Sequence, residues 1–277
     1  TVSGTLGYNL KNLANEGNED GTRTELLRRD GFDLLLMRRE TGAQNGSLAV
    51  ASPNRITTWQ KRWEPSTLFP TSGFQHFAET FGASGRYDFA STVAEIEQRR
   101  NGTVNSNESW AGGVGSVGWE FTLKPGASTN IPLVISWCFP ERKDVPGVRN
   151  YYSTQWPDAA AAAEYLMANR QRLESQTRLF QQTFFASTLP GVILESISSQ
   201  LAILRSPTVF RETNGTMHGW EGCWANSGSC EGTVDQVWHY VQSIAYLFPA
   251  LERGMREFDY AKRIKPDGGM QTRVWPT

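Results

Sequence analysis

The sequence predicts a β-sandwich over residues 1–150, a long linker helix over 151–186 and further helices over 187–277. Three observations predict this order. The first 150 residues are rich in Gly, Ser, Thr and aromatic residues, in short alternating runs broken by turn residues. Beyond residue 157, apolar residues recur at the three- and four-residue spacing of helices. With 39% hydrophobic and 12% aromatic residues among 277, the chain has ample material for a buried core.

The strands of the first part are predicted from short runs in which apolar and polar residues alternate. These runs cover residues 1–8, 32–37, 46–51, 55–59, 89–97, 117–123 and 131–137. Between the last two runs, Pro125 supplies a fixed φ and Gly126 tolerates a positive φ, so we expect two strands to meet at a turn there. Several short strands at this spacing are typical of a sandwich.

The second part is predicted to be helical. A helix begins after Pro157 and covers residues 158–185, with an apolar stripe on one side and its charged residues largely elsewhere. The stripe consists of Ala162, Leu166, Leu173, Phe180 and Phe184. A second helix covers about 189–206. A third runs over about 235–258 and is interrupted before Pro249, because proline cannot continue the helical hydrogen bonds.

The charge balance and the hydropathy pattern exclude several classes of protein. The chain carries 27 basic and 28 acidic side chains, a net charge of -1, which argues against a nucleic-acid binder. No apolar run reaches the roughly 18 to 20 residues that a membrane helix needs, and the start of the chain shows no export signal. We therefore expect a soluble, cytoplasmic protein.

The cysteines favour a reducing compartment. Cys138, Cys223 and Cys230 are too few for a disulfide scaffold, and their odd number leaves at least one thiol unpaired. Cys223 and Cys230 are too far apart for a CxxC redox pair, and only His218 and His239 lie near them, so a packed thiol pair or a disulfide is expected rather than a zinc site. We predict no metal and no cofactor.

Both ends of the chain favour a piece of a longer polypeptide. Residue 1 is not Met and lies inside the first alternating run, and residues 273–277 show no tail. We expect truncation at both ends.

Residues 209–232 form the segment most suggestive of chemistry. Glu221 lies between Gly219-Trp220 and Gly222, a setting in which the backbone can bend and present a carboxylate beside an indole face. An ionised carboxylate of this kind serves as the nucleophile of a glycosidase, and sugar rings stack on Trp faces. The alternative is an ordinary exposed glutamate. His218 could be a base, a sugar hydrogen-bond partner or a buried structural histidine.

Several motifs in order carry a family resemblance. They are Lys124-Pro125-Gly126, Trp137-Cys138-Phe139-Pro140, Asn150-Tyr151-Tyr152, Leu204-Arg205-Ser206-Pro207-Thr208, His218-Gly219-Trp220-Glu221-Gly222-Cys223, Val237-Trp238-His239-Tyr240 and the run from Leu247-Phe248-Pro249 to Arg256-Glu257. The chain resembles glycoside hydrolase family 116, which includes the non-lysosomal glucosylceramidase and bacterial β-glucosidases. The resemblance implies a retaining β-glycosidase with a β-sandwich packed on an (α/α)6 barrel.

The resemblance also implies roles for individual residues. Glu221 matches the family nucleophile, whereas the acid/base Asp belongs to a downstream Thr-Tyr-Asp motif that these 277 residues do not contain. Gln236 occupies a sugar-binding position that is usually His or Asp. We expect Trp220 and Trp224 to flank the sugar, and Asp235, Gln236 or His218 to contact its hydroxyls. The expected substrate is a β-glucoside or a glucosylceramide-like glycolipid, the latter implying peripheral membrane association.

The length of the chain limits what it does alone. A twelve-helix barrel needs on the order of 200 residues, and 90 residues follow Ser187. The segment 187–277 is thus expected to be the first part of a barrel, and the isolated chain to lack turnover. Two other hypotheses remain: an inverting hydrolase or phosphorylase of the same architecture, and a non-catalytic carbohydrate-binding protein.

Overall fold

The computed structural model describes residues 2–11, 22–40, 45–63, 114–142, 145, 147–206, 209–219, 222–223, 228–229, 233–234 and 243–275. The chain divides into two compact units, which are described separately. The first consists of Thr1–Cys138 with Asp158–Ala168, and the second of Phe139–Pro157 with Asn169–Thr277.

The first unit contains antiparallel sheets. Its strands are β1 (Val2–Lys11), β2 (Thr22–Arg29), β3 (Phe32–Arg39), β4 (Gly46–Ser52), β5 (Thr58–Trp63), β6 (Val114–Leu123) and β7 (Val134–Cys138). One sheet has the order β1-β6-β5 and the other the order β2-β3-β4-β7. The β2–β3 hairpin turns at Gly31, whose φ of 77° lies in the left-handed region that favours glycine.

The two sheets pack face to face around a shared core. Leu35 of β3 and Val50 of β4 point into it from one sheet, and Val117 and Trp119 of β6 point into it from the other. All four side chains are at most 3% exposed. Successive side chains of a strand point to opposite faces, so Leu34 and Leu36 lie on the other side of β3.

A helix covers that other face of the sheet. Helix α1 (Ala159–Phe185) begins there, and its Ala159, Ala160 and Ala163 pack against Leu34, Leu36, Ala49 and Ala51. Serine hydroxyls hold its first residue, since Ser47 Oγ accepts from the Ala159 amide at 2.8 Å and Ser136 Oγ donates to the Ala159 carbonyl at 2.7 Å. Small side chains let the helix backbone approach the sheet closely, and β3 is buried on both faces as a result.

The second unit combines helices with short hairpins. Its helices are α2 (Gly191–Gln200), which continues as a 3₁₀ helix over Leu201–Arg205, α3 (Ser243–Leu247), α4 (Pro249–Arg263), and the part of α1 beyond residue 168. Its strands are β8 (Val209–Arg211), β9 (Met217–Gly219), β10 (Gly222–Cys223), β11 (Gly228–Ser229), β12 (Thr233–Val234) and β13 (Arg273–Val274). The pairs β8–β9, β10–β11 and β12–β13 are antiparallel.

Most strands of the predicted sandwich are confirmed. The predicted runs 1–8, 32–37, 46–51, 117–123 and 131–137 each overlap a strand, and the run at 55–59 overlaps the start of β5. The turn at Pro125-Gly126 is also confirmed, with a 3.0 Å hydrogen bond from the Ala127 amide to the Lys124 carbonyl and a φ of 76° at Gly126. The strands on either side of it do not pair with each other, however, because β6 and β7 belong to different sheets. The predicted strand at 89–97 lies outside the described residues.

The helices predicted at 158–185 and about 189–206 are confirmed in position but not in every buried face, and residues 235–242 of the third predicted helix lie outside the described residues. The stripe predicted for α1 is half-buried at Ala162, Leu166, Leu173 and Phe184, and Phe180 is exposed. The buried face is instead the one with Ala159, Ala160 and Ala163. The spacing of apolar residues along a helix identifies faces that could be buried, whereas the position of the neighbouring sheet determines which of those faces is buried. The predicted interruption before Pro249 separates α3 from α4 at Phe248, and the (α/α)6 barrel as a whole stays a prediction.

Two other features bear on the sequence predictions. None of the helices in the described part of the chain combines the length and apolarity that a bilayer span requires. Cys138 is buried at the end of β7, whereas the side chains of Cys223 and Cys230 lie outside what the structure describes.

Candidate active site

The predicted site residues follow the short strands of the second unit along the chain. Trp220 and Glu221 come between the end of β9 and the start of β10, and Trp224 follows β10. Asp235 and Gln236 directly follow β12. These five residues lie outside the described residues, and the roles predicted for them stay predictions. His218, on β9, is described in full.

A tight hairpin places His218. Strands β8 and β9 pair with Phe210 opposite His218. Between the strands, the Glu212 amide donates to the Thr216 carbonyl at 2.8 Å, and the Gly215 amide donates to the Glu212 carbonyl at 2.9 Å. Gly215 has a φ of 96°, which a side chain would make strained. The hairpin thereby brings Glu212 beside the strand that carries His218.

Both ring nitrogens of His218 have partners within the protein. Nε2 lies 2.6 Å from Glu212 Oε1, and Nδ1 lies 3.2 Å from Thr233 Oγ1. The three residues are buried, with His218 1% and Glu212 5% exposed. A carboxylate only accepts hydrogen bonds, so we assign the proton of a neutral His218 to Nε2, and Nδ1 then accepts from the Thr233 hydroxyl.

Burial determines the protonation of His218. Removal of the ring from water lowers the pKa of His218 below its usual 6.5, because a buried imidazolium loses its hydration. The hydrogen bond that His218 donates to Glu212 and the negative charge of that carboxylate raise the pKa of His218 and partly oppose the effect of burial, while the charge of Arg142 lowers the pKa further. The neutral ring with one fixed tautomer is therefore the form present at neutral pH.

Aromatic rings enclose the imidazole. The Phe210 ring lies 5.2 Å from the His218 ring, and the Phe258 ring meets it edge-on at 5.1 Å. The Arg142 guanidinium lies over the Phe210 ring, 3.9 Å from its centroid. The two ring contacts restrain the plane of the imidazole.

Thr233 connects this group to helix α4. Its carbonyl oxygen accepts a hydrogen bond from the buried Arg263 guanidinium. Arg263 Nε also lies 3.5 Å from Asp259 Oδ1, and both side chains are fully buried. Farther along α4, Arg256 donates to Glu252 Oε1 at 2.6 Å and lies 3.8 Å from Asp259 Oδ2. A continuous polar group therefore runs from Glu212 through His218 and Thr233 to α4.

The described contacts bear on the three roles held open for His218. With its nitrogens directed at Glu212 and Thr233, neither is aimed at a ligand, so the buried structural histidine is the role that the geometry favours. The partners of its two ring nitrogens are the Glu212 and Thr233 side chains, not backbone groups. Sequence reasoning missed Glu212 and Thr233 as partners of His218, and Arg263 as a partner of Thr233. The Asn214-Gly215 turn signal could have identified Glu212, since it predicts a hairpin with Glu212 and His218 near its two arms.

Within the described ranges, no group of three or more His, Cys, Asp or Glu side chains is arranged to hold a metal ion.

Comparison with known families covers mainly the first unit. The family model described as beta-glucosidase 2, glycosyl-hydrolase family 116 N-term, matches residues 2–173. Comparison with curated proteins gave no significant match. The matched region contains both sheets of the sandwich and the first half of α1, and it spans more than half of the chain. From this match and the sandwich that underlies it, the chain belongs to glycosyl-hydrolase family 116.

Proposed function

We propose that the protein containing this chain is a retaining exo-β-glucosidase that works through a covalent glycosyl-enzyme on Glu221. The observation that carries the proposal is the family match together with Gly219-Trp220-Glu221-Gly222, which lies between β9 and β10. Glycines on both sides of a Trp-Glu pair permit the sharp backbone bend that presents a carboxylate to a bound sugar.

The reaction has two displacement steps. The Glu221 carboxylate attacks the anomeric carbon while the bond from that carbon to the aglycone oxygen breaks, and a carboxylic acid protonates the departing oxygen. Water then attacks the same carbon, its proton passes to the conjugate base of that acid, and Glu221 is released. The family resemblance assigns the acid to an Asp in a Thr-Tyr-Asp motif, which these 277 residues lack. The two carboxyl groups are expected about 5 to 5.5 Å apart.

The sugar contacts proposed for this chain follow β9, β10 and β12. Trp220 and Trp224 flank the ring, and Asp235 and Gln236 hydrogen-bond its hydroxyls. Gln236 is neutral at every pH, so its contribution to binding does not titrate. The substrate is a β-glucoside or a glucosylceramide-like glycolipid, with the protein in the cytoplasm and peripherally bound to a membrane in the glycolipid case.

A mechanism-based label tests the nucleophile. The full-length protein is incubated with a 2-deoxy-2-fluoroglucoside that carries an activated leaving group, and the adduct is located by peptide mass spectrometry. We expect the adduct on Glu221 and none in Glu221→Gln. The matched control is Glu257→Gln, an exposed glutamate of α4, which should be labelled at the wild-type rate. An adduct on any other residue would refute the assignment.

The stereochemistry of the first product separates retention from inversion. NMR of the sugar released from a β-glucoside is expected to show the β-anomer before mutarotation. Net inversion would remove the nucleophile role from Glu221 and favour the inverting hydrolase or phosphorylase.

Gln236 favours one further candidate, a non-catalytic carbohydrate-binding protein, because the titratable residue usual at that position is absent. Sugar binding by the full-length protein without release of glucose would support that candidate, whereas measurable release of glucose would exclude it.

A further inference from the structure

The contact between His218 and Thr233 joins two separate strand pairs. Among the described residues, β9 pairs with β8 and β12 pairs with β13. The His218 Nδ1 to Thr233 Oγ1 hydrogen bond of 3.2 Å crosses between them, with Thr233 fully buried and His218 1% exposed. A hydrogen bond shielded from water has a preferred length and direction, so it restrains the two strands more specifically than apolar packing alone.

The two strands lead directly into the two segments that carry the proposed site. Glu221 is three residues after His218 in sequence. Asp235 and Gln236 are two and three residues after Thr233. The hydrogen bond therefore joins two buried side chains at the start of both segments.

From this juxtaposition we infer that His218 is a positioning residue, which sets the spacing between the nucleophile segment after β9 and the sugar-binding segment after β12 through its hydrogen bond to Thr233. The inference rests on the proposed function, because it assigns to His218 an effect on the geometry of that same site. Glu212 is hydrogen-bonded to His218, and Arg263 is hydrogen-bonded to Thr233.

Each end of the pair is anchored to a different element. Glu212, at the end of β8, holds His218 Nε2 at 2.6 Å and thereby fixes the tautomer that leaves Nδ1 as an acceptor. On the other side, Arg263 of α4 donates to the Thr233 carbonyl, and Asp259 lies 3.5 Å from Arg263 Nε. A displacement of about 1 Å in a reacting group can reduce turnover on the order of 100-fold, which makes such restraints matter for rate.

Substitution of Thr233 tests the hydrogen bond at constant side-chain volume. In the full-length protein, Thr233→Val removes the hydroxyl and keeps the shape, whereas Thr233→Ser keeps the hydroxyl. We expect Thr233→Val to reduce kcat and the fluoroglucoside labelling rate about 10- to 100-fold with little change in KM, and Thr233→Ser to stay within about threefold of wild type. Ile244→Val, in the buried core of the same unit, is the control for a small loss of stability and should keep wild-type kcat.

A second pair of variants applies where Thr233→Val does not fold. In His218→Asn, the asparagine side-chain amide can occupy the position of Nδ1 and reach Thr233. In His218→Gln, the longer glutamine side chain places its amide at the position of Nε2, from which it reaches only Glu212. We expect His218→Asn to retain at least about tenfold more kcat than His218→Gln, at similar thermal midpoints.

The outcomes separate the inference from the proposed function. Two results would overturn the positioning role alone, provided that the wild-type protein is labelled on Glu221. One is an unchanged kcat in Thr233→Val, and the other is a His218→Gln variant at least as active as His218→Asn. Absence of labelling and of glucose release in the wild-type protein overturns the proposed function itself. Loss of kcat in Thr233→Val with recovery in Thr233→Ser supports both.

Discussion

At the scale of single residues, the second unit contains a connected group of buried polar side chains around His218. A buried hydrogen bond stabilises a fold when both partners are satisfied and costs free energy when one is removed. His218 meets that condition through Glu212 and Thr233, and its neutral ring avoids the cost of a buried imidazolium.

The lowered pKa of His218 predicts a pH dependence of stability. Unfolded histidine titrates near its usual 6.5 and folded His218 titrates lower, so between these values the unfolded chain binds more protons. The stability that neutral His218 contributes is therefore present above pH 6.5 and is lost as the pH falls through the folded pKa. We expect the thermal midpoint of wild type to fall over this range more steeply than that of His218→Gln. Parallel curves would contradict the assignment of that proton uptake to His218.

A second residue-scale prediction concerns Asp33 in the sandwich. Asp33 is 3% exposed, accepts from the Ile56 amide at 2.8 Å and is paired with Arg28, which also donates to the Ile56 carbonyl at 2.9 Å. Asp33→Ala leaves these donors without their carboxylate, and we expect the free energy of unfolding to fall by about 2 to 3 kcal/mol. Denaturant titration of wild type and variant measures this change in the free energy of unfolding. Glu40→Ala, at an exposed carboxylate just after β3, should change it by less than about 0.5 kcal/mol.

At the scale of elements, the first unit depends on how closely a helix and a sheet approach each other. The face of α1 formed by Ala159, Ala160 and Ala163 presents only methyl groups to β3 and β4. Interiors are densely packed, so this contact has little room for extra methylenes. The serine bonds at Ala159 fix where along the sheet the helix begins.

Enlarging one alanine of this face tests that account. Ala163→Leu adds three carbons to a fully buried position, and we expect it to destabilise the protein by about 1 to 3 kcal/mol. The matched control is Ala168→Leu, five residues along the same helix and exposed, which should be neutral or destabilising by less than about 0.5 kcal/mol, because leucine is a slightly weaker helix former than alanine. Equal unfolding curves for the two variants would show that the helix does not pack as described.

At the scale of the whole molecule, family membership and the proposed chemistry make different demands on the chain. The sandwich is sufficient for membership, since the match covers residues 2–173. Hydrolysis requires two carboxyl groups, and the acid is assigned to a motif that these residues do not contain.

We therefore expect this 277-residue chain alone to hydrolyse β-glucosides at about one-hundredth of the full-length rate or less, because a general acid contributes typically 10²- to 10⁴-fold. The measurement is glucose release from an alkyl β-glucoside, whose poor leaving group makes protonation necessary. Full-length protein carrying Glu221→Gln is the parallel negative control. Turnover by the isolated chain would mean that it contains its own acid.

Local sequence was sufficient for elements whose formation depends on neighbours along the chain. Alternation predicted β3, β4 and β6, the Pro125-Gly126 pair predicted a turn, and Pro249 predicted the interruption before α4. Those features arise from backbone sterics and from periodic burial, which act over a few residues. Glu221 was likewise singled out from the residues around it, and its role stays a prediction.

Contacts between distant residues needed the tertiary structure. The sequence by itself determined which segments form strands and helices, the motifs that resemble the family, and the candidate carboxylate at Glu221. Only the tertiary structure decided that the strands flanking Pro125-Gly126 enter different sheets, that α1 buries its alanines, and that His218 faces Glu212 and Thr233. The physical reason is that hydrogen bonds and packed faces can join residues more than a hundred positions apart in the sequence. Local periodicity carries no information about which distant residue becomes the partner of a given side chain.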